Sequence, residues 1–226
     1  MARRLAHLTL DNLGDLPVAC QSCVFWELDP VRRERAVNAG EATREKESWV
    51  SQVLLEWGSC GRIAYVDGDP AGYVMYAPPA FVPGTRIFPT APASEDSVLL
   101  MTAMVHPEYA DVGLGRVLVQ AVAKDLLKRG GIRAIEAFAD TRAHPAGYGG
   151  CLLPADFLLR VGFKTHRQHP RHPRLRLELK SVLTWREEVE AALERLVGGL
   201  RPVRPAAEHV PRQLVGPRRS VRRETR

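Results

Sequence analysis

The 226-residue chain is predicted to fold as an α+β (α/β) domain, and three stretches of sequence carry that prediction. Val98-Leu99-Leu100-Met101-Thr102-Ala103-Met104-Val105 is β-rich and nearly all apolar, the composition of a central strand covered on both faces. It runs through a glycine turn into an amphipathic helix over 113–129, and then into a second apolar run over 132–139. Upstream, Arg62–Val66 and Ala71–Tyr76 flank Asp67-Gly68, the signature of a β-hairpin.

Taken in order, His7-Leu8-Thr9-Leu10 reads as a short edge strand and Asn12–Pro17 as a turn or short helix. Cys23-Val24-Phe25-Trp26-Glu27-Leu28 is an apolar, strand-like run stopped by Asp29-Pro30. Pro30 opens a helix, since proline suits a first helical turn, and the helix breaks near Asn38-Ala39-Gly40. Glu41–Trp57 is the next helix, with Trp49, Val50, Val53, Leu54 and Trp57 on one face and Gly58 closing it. After the hairpin comes a loop of about twenty residues, Ala77–Asp96, with five prolines; loops of that length tend to be functional. The helix over 113–129 buries Leu114, Val117, Leu118, Ala121, Val122 and Leu126 and ends at Gly130-Gly131. A glycine-rich loop over 144–150 leads to a short helix from Pro154 that ends at Gly162-Phe163. Arg174–Leu179 alternates as a last strand, and Trp185–Leu200 is a terminal amphipathic helix.

An apolar content of 45% and a charged content of 26% suit a soluble globular domain. No apolar run approaches the ~20 residues that span a bilayer, and the N-terminus lacks the apolar core of a signal peptide, so the expected location is the cytoplasm. Residues 201–226 hold eight arginines against two glutamates, which accounts for the whole formal excess of +6. With four prolines as well, this tail is expected to be disordered and distinct from a domain over 1–200. It reads as a solvated tail or as a contact for nucleic acid or an acidic partner. Cys20, Cys23, Cys60 and Cys151 leave three readings open: a zinc site, a redox pair, or reduced packing thiols.

The turn itself is Val105-His106-Pro107-Glu108-Tyr109-Ala110-Asp111-Val112-Gly113-Leu114-Gly115-Arg116. Glycines opening a helix expose bare N–H groups that can surround a pyrophosphate. A dinucleotide fingerprint is disfavoured, because Leu118 stands where its third glycine belongs. The order Val-x-Pro-x-Tyr-x-x-x-Gly-x-Gly resembles the acetyl-CoA-binding motif of the GNAT superfamily of N-acetyltransferases, and the order of strands and helices extends the resemblance over about residues 5–182. The resemblance implies a mixed, mostly antiparallel central sheet with helices on both faces. It implies acetyl-CoA as co-substrate and an amine acceptor; the lack of a bilayer-length apolar run adds the expectation of no membrane partner. It also implies a cofactor site made of Met104, Val105, Ala110, Asp111, Val112, Gly113, Leu114, Gly115 and Arg116, in which a backbone N–H of Met104 or Val105 polarises the thioester carbonyl.

Three positions in two segments depart from the family pattern. Ala110 and Asp111 stand where Arg or Gln and then Gly are expected, and a carboxylate beside a pyrophosphate is repulsive. Counting back from Gly162-Phe163 puts Leu158 where the family has a tyrosine that protonates the leaving thiolate. Tyr148 is the replacement candidate for that acid, with water as the alternative. The candidate general bases are Glu136, set in an apolar strand, and Glu27, which follows Phe25-Trp26; each also reads as a carboxylate paired with arginine. Trp26, Phe81, Phe88 and Tyr148 are candidates to line the acceptor pocket. The competing function is an acyl-CoA-binding module without turnover, supported by Ala110, Asp111 and Leu158.

Overall fold

A computed structural model describes residues 3–142 and 151–182. Its strands are β1 (Arg3–His7), β2 (Gly61–Val66), β3 (Asp69–Ala77), β4 (Ser97–Val105), β5 (Ala134–Asp140), β6 (Leu153–Pro154), β7 (Lys164–Arg167) and β8 (Arg174–Glu178). They form one sheet in the order β1-β2-β3-β4-β5-β8-β7, with β6 beside β5. Pairing is antiparallel except at β4–β5 and β5–β6, so the mixed, mostly antiparallel architecture is what the chain adopts. The helices are α1 (Val18–Gln21), α2 (Pro30–Asn38), α3 (Ala42–Trp57), α4 (Leu114–Arg129), α5 (Ala155–Arg160) and α6 (Leu179–Val182). No helix among the described residues is long and apolar enough to cross a membrane.

The centre of the sheet is buried on both faces, which is why β4 is nearly all apolar. Leu114, Leu118, Val122 and Leu126 of α4 pack on one face against Val74, Tyr76, Val98 and Leu100. Trp49, Val50 and Val53 of α3 pack on the other against Tyr73, Met75, Leu99 and Met101. β4 alternates between these cores until its register with β3 slips, Tyr76 facing Leu100 and Met75 facing Thr102. The extra residue, Met101, makes a β-bulge. Beyond it Thr102 and Met104 lie on the α3 side, and Ala103 and Val105 on the α4 side.

β4 and β5 pair only over Ser97–Leu99 and Ala134–Glu136. The strands then part, and β6 takes up the far end of β5 at Ala139 and Asp140. The chain thus leaves a gap along β4 from Leu100 to Val105.

Several elements differ from the sequence reading. Cys23–Leu28 is a run of turns, not a strand: Gly84 N–H donates to the Trp26 carbonyl (3.1 Å) and Lys46 Nζ to the Cys23 carbonyl (3.0 Å). The run is apolar because it is buried, a property that strands and covered turns share. The first strand lies earlier, at Arg3–His7, because the Asn12 side chain accepts from Thr9 N–H and donates to the His7 carbonyl, turning the chain there. β7, whose residues are all exposed, offers no apolar alternation to read. Asp29 caps α2 through the N–H groups of Val31 and Arg32. The loop over 144–150, the helix over 185–200 and the tail over 201–226 lie outside the described residues.

The proline loop is folded, with 3-10 turns at Pro79–Phe81 and Pro83–Ile87. Gly84 presses it onto the Phe25-Trp26 turn: a Cβ there would collide with the Phe25 carbonyl oxygen and stand 2.9 Å from Trp26 Cα. Both obstacles are backbone and cannot rotate away. Gly84→Ala is therefore expected to destabilise the fold by about 1–3 kcal/mol, read as a lower urea midpoint at unchanged m.

Candidate active site

Two concave sites lie on opposite faces of the free end of β4. The first is a cleft of about 820 Å³ lined by Ala103, Val105, Ala110, Gly113, Gly115 and Arg116 on one side. Leu153, Pro154, Phe157 and Arg160 line the other. Its floor is the start of α4. Gly113 takes φ +79°, a left-handed turn that a side chain would strain, and thereby reverses the chain into the helix. The first backbone bond of α4 runs from Val117 N–H to the Gly113 carbonyl, and no side chain caps this end. The amides of Leu114 and Gly115 consequently meet no helical carbonyl, and the helix dipole adds positive potential there. A Cβ on Gly115 would stand 2.9 Å from the Phe157 ring, so a small residue is needed where α4 meets α5. These features suit a phosphate group.

The strand above the cleft is equally open. His106 N–H donates to the Ala71 carbonyl (2.8 Å), fixing the direction of every second amide along this end of β4. By alternation Met104 N–H points to β3, whereas the amides of Ala103 and Val105 point into the gap.

Not every residue anticipated for the cofactor lies in this cleft. Val105, Ala110, Gly113, Gly115 and Arg116 line it. Met104 faces the opposite side of the sheet, Leu114 packs into the core with its amide at the helix start, and Val112 is exposed. Asp111 lies within the 3-10 turn Pro107–Val112. Phe157 and Arg160 belong to the cleft without having been anticipated. Leu158 is fully buried, so the family's tyrosine position points into the core here.

The second site is a cavity of about 220 Å³ lined by Cys20, Cys23, Trp26, Glu27, Lys46, Tyr73, Thr102, Met104 and Cys151, among others. Glu27 and Lys46 form a buried ion pair, and Trp26 N–H donates to Glu27 Oε2 (3.1 Å). Trp26 Nε1 donates to the Cys151 carbonyl (2.9 Å), tying the two walls together. The Cys23 and Cys151 sulfurs stand 2.9 Å apart. The hydrogen bond from Cys151 brings the Cys23 thiol down to about 7 against the opposing effect of burial, while Cys151 is correspondingly raised. Burial, reinforced by a hydrogen bond with Cys20, holds the Tyr73 phenol far above its ordinary value. Cys60 lies apart in the core, pushed up to about 12 by burial. Among the described residues no group of three or more His, Cys, Asp or Glu is placed to hold a metal ion.

Of the aromatic residues anticipated for this pocket, Trp26 lines it. Phe88 is buried behind, stacked on Trp26 and Phe138, and Phe81 contributes its carbonyl to Trp49 Nε1. Tyr148 lies outside the described residues.

The structure does not bring the two candidate bases together. Glu27 faces the cavity, but Glu136 sits where β4 and β5 are still paired, fully buried. It accepts from Ser94 N–H (3.1 Å), Ser94 Oγ (2.7 Å) and Arg176 Nη1 (3.1 Å), with Arg174 Nε 3.4 Å away. Arg176 also holds Asp96, whose carboxyl it lowers below the ordinary range. These are the surroundings of a carboxylate that joins β5, β8 and the end of the proline loop.

Comparison with known proteins adds to this geometry. Residues 25–146 match the model of the acetyltransferase (GNAT) family. A search of curated protein sequences finds no match. Among solved structures, the YncA putative acetyltransferase of Salmonella typhimurium, in complex with acetyl-CoA, superposes with a TM-score of 0.52 at 16% identity, covering 79% of this chain and 95% of its own. The PaiA N-acetyltransferase of Thermoplasma acidophilum, in complex with coenzyme A, gives 0.50 at 14% identity over 79% and 99%. The aminoglycoside acetyltransferase AAC(6')-Ib, also with coenzyme A, gives 0.50 at 14% identity over 82% and 99%. At these identities the likeness is one of fold.

Proposed function

The chain belongs to the acetyltransferase (GNAT) family, and we propose that it transfers an acetyl group from acetyl-CoA to a primary amine. One observation supports this reading most directly: the open end of β4 separates a phosphate-suited cleft from a cavity that holds a buried carboxylate. Acetyl-CoA supplies an activated acyl group on sulfur. In this reading the amides of Leu114 and Gly115 bind its pyrophosphate, with Arg116 and Arg160 flanking them. The Val105 amide polarises the carbonyl, because the alternation along β4 turns that amide, and not that of Met104, into the gap.

On the opposite face, Glu27 takes the proton of the incoming amine, and Lys46 and the Trp26 amide hold its carboxylate in place. Tyr73 keeps its proton throughout the neutral range, so it orients by hydrogen bonding and is too weak an acid to protonate a thiolate. Water then returns the proton to the departing sulfur, and Tyr148 is the side chain to compare with it. A Tyr148→Phe variant with turnover equal to the parent assigns the step to water.

The test is thiol release from acetyl-CoA across a panel of small primary amines. Amine-dependent release is expected. Calorimetric binding of acetyl-CoA with no release for any amine supports the second reading, a binding module, which the inward-facing Leu158 and the unreactive Phe157 ring favour.

The departures in the phosphate turn carry a prediction of their own. Replacing Ala110→Arg and Asp111→Gly together adds a cation and removes an anion beside the pyrophosphate site. Acetyl-CoA should bind about 5–30-fold more tightly, corresponding to roughly 1–2 kcal/mol. Calorimetry showing no change contradicts the placement of the pyrophosphate at this turn.

A further inference from the structure

The mechanism uses none of the cavity's three thiols, and the two that face each other are not the sequence neighbours Cys20 and Cys23. Cys20 belongs to α1 and is hydrogen-bonded with Tyr73. Cys23, past the end of that helix, faces Cys151, which is 128 residues away in sequence. Their sulfurs are 2.9 Å apart, within an ångström of the ~2.05 Å disulfide bond. Both residues are half-buried at the wall of an open cavity, so a small reagent can reach them. The Phe25 amide and the Lys46 ammonium also favour the thiolate of Cys23, after the stronger effect of Cys151 itself, while burial and the Glu27 carboxylate oppose it.

We propose that Cys23 and Cys151 are a peroxide-reactive dithiol site that closes to a disulfide across the acceptor cavity. The Cys23 thiolate attacks the O–O bond of a hydroperoxide, the cleaved oxygen leaving as alcohol or water after taking a proton, and Cys23 becomes a sulfenic acid. Cys151 then attacks that sulfur, forming the S–S bond and releasing water. In sum two thiols are oxidised and one hydroperoxide is reduced, and a dithiol reductant reverses the change.

The link has a structural consequence. Cys151 runs directly into Leu153 and Pro154, which wall the cofactor cleft, while Cys23 belongs to the segment that carries Trp26 and Glu27. A disulfide fastens these two walls to each other. Its effect on acyl transfer rests on the reading of this cavity as the acceptor site; the link itself does not.

The experiment is thiol mapping on the full chain. Reduced protein is treated with stoichiometric hydrogen peroxide, alkylated, digested and analysed by mass spectrometry. The expected product joins the Cys23 and Cys151 peptides and loses two hydrogens; it persists in Cys20→Ser and is absent from Cys23→Ser and Cys151→Ser. Cys151→Ser should accumulate a dimedone-reactive Cys23. A Cys20–Cys23 or Cys20–Cys151 link, over-oxidised Cys23 without a link, or four unmodified thiols overturns the proposal. With the link in place, amine-dependent thiol release should fall at least fivefold and return with dithiothreitol; linked protein turning over at the reduced rate overturns the effect on catalysis. A chain that forms the link but never transfers acetyl groups contradicts the proposed function and leaves the dithiol site standing.

Discussion

Glu136→Ala is expected to lose about 3–5 kcal/mol of folding stability, the effect of stripping a buried charge from its partners. The carboxylate is fully buried between Arg174 and Arg176; Arg174 Nε stands 3.4 Å from it as an ion pair, and neither Nε nor Nη1 of Arg174 has a hydrogen-bond partner among the described residues. Removing it takes from the buried Arg174 its ion-pair partner and from Arg176 one of three carboxylates, and frees the Ser94 side chain that ties the proline loop to β5. Glu136→Gln should recover part of the loss, since an amide oxygen still accepts from Ser94 and Arg176. Urea denaturation measures both, and acetyl-CoA affinity at a temperature where the variants stay folded should remain within twofold of the parent. A Glu136 variant with parental stability and no turnover would show instead that this carboxylate handles the substrate proton.

The second large effect is on rate. Glu27→Gln should lower turnover by about 10²–10⁴-fold, the usual contribution of a positioned base, and leave acetyl-CoA binding in place because the cofactor cleft lies across β4. The glutamine oxygen can still accept from Lys46, so the variant is the milder of the available replacements. The unfolding midpoint, measured alongside, separates a lost base from a disturbed ion pair. Full turnover in a folded Glu27→Gln protein removes Glu27 from the mechanism.

The run from Val98 to Arg129 was readable because strand, glycine turn and helix each carry a distinct local signal: apolar β-rich composition, paired glycines and a 3.6-residue period. The bases were harder, because a buried glutamate looks the same in sequence whether it joins strands or moves protons. What distinguishes them is the partner. Arg174 and Arg176 alternate with leucines and read as the solvent side of an edge strand, yet Arg176 sits directly across from Glu136 in the β5–β8 ladder. Lys46 had a visible clue, since Lys46, Trp49, Val50 and Val53 fall on the buried stripe of α3, and a lysine there requires a carboxylate. Phe157 and Arg160 were missed because their approach to the helix start depends on how α5 packs against Gly115, which no local pattern encodes.

The bulge at Met101 gives the free end of β4 a property that substitution scanning alone does not reveal. Side chains alternate along a strand, so the face that each residue from Thr102 to Val105 presents depends on how many residues precede it. Regular alternation through Met101 would exchange the two faces, turning Thr102 and Met104 toward the cleft and Ala103 and Val105 toward the cavity. The bulge, which puts Met101 and Thr102 on the same side, prevents this. Deleting Met101 would restore the alternation and leave each of these residues on its present side. The chemistry at this strand end is therefore set by a local irregularity of the backbone as well as by residue identity.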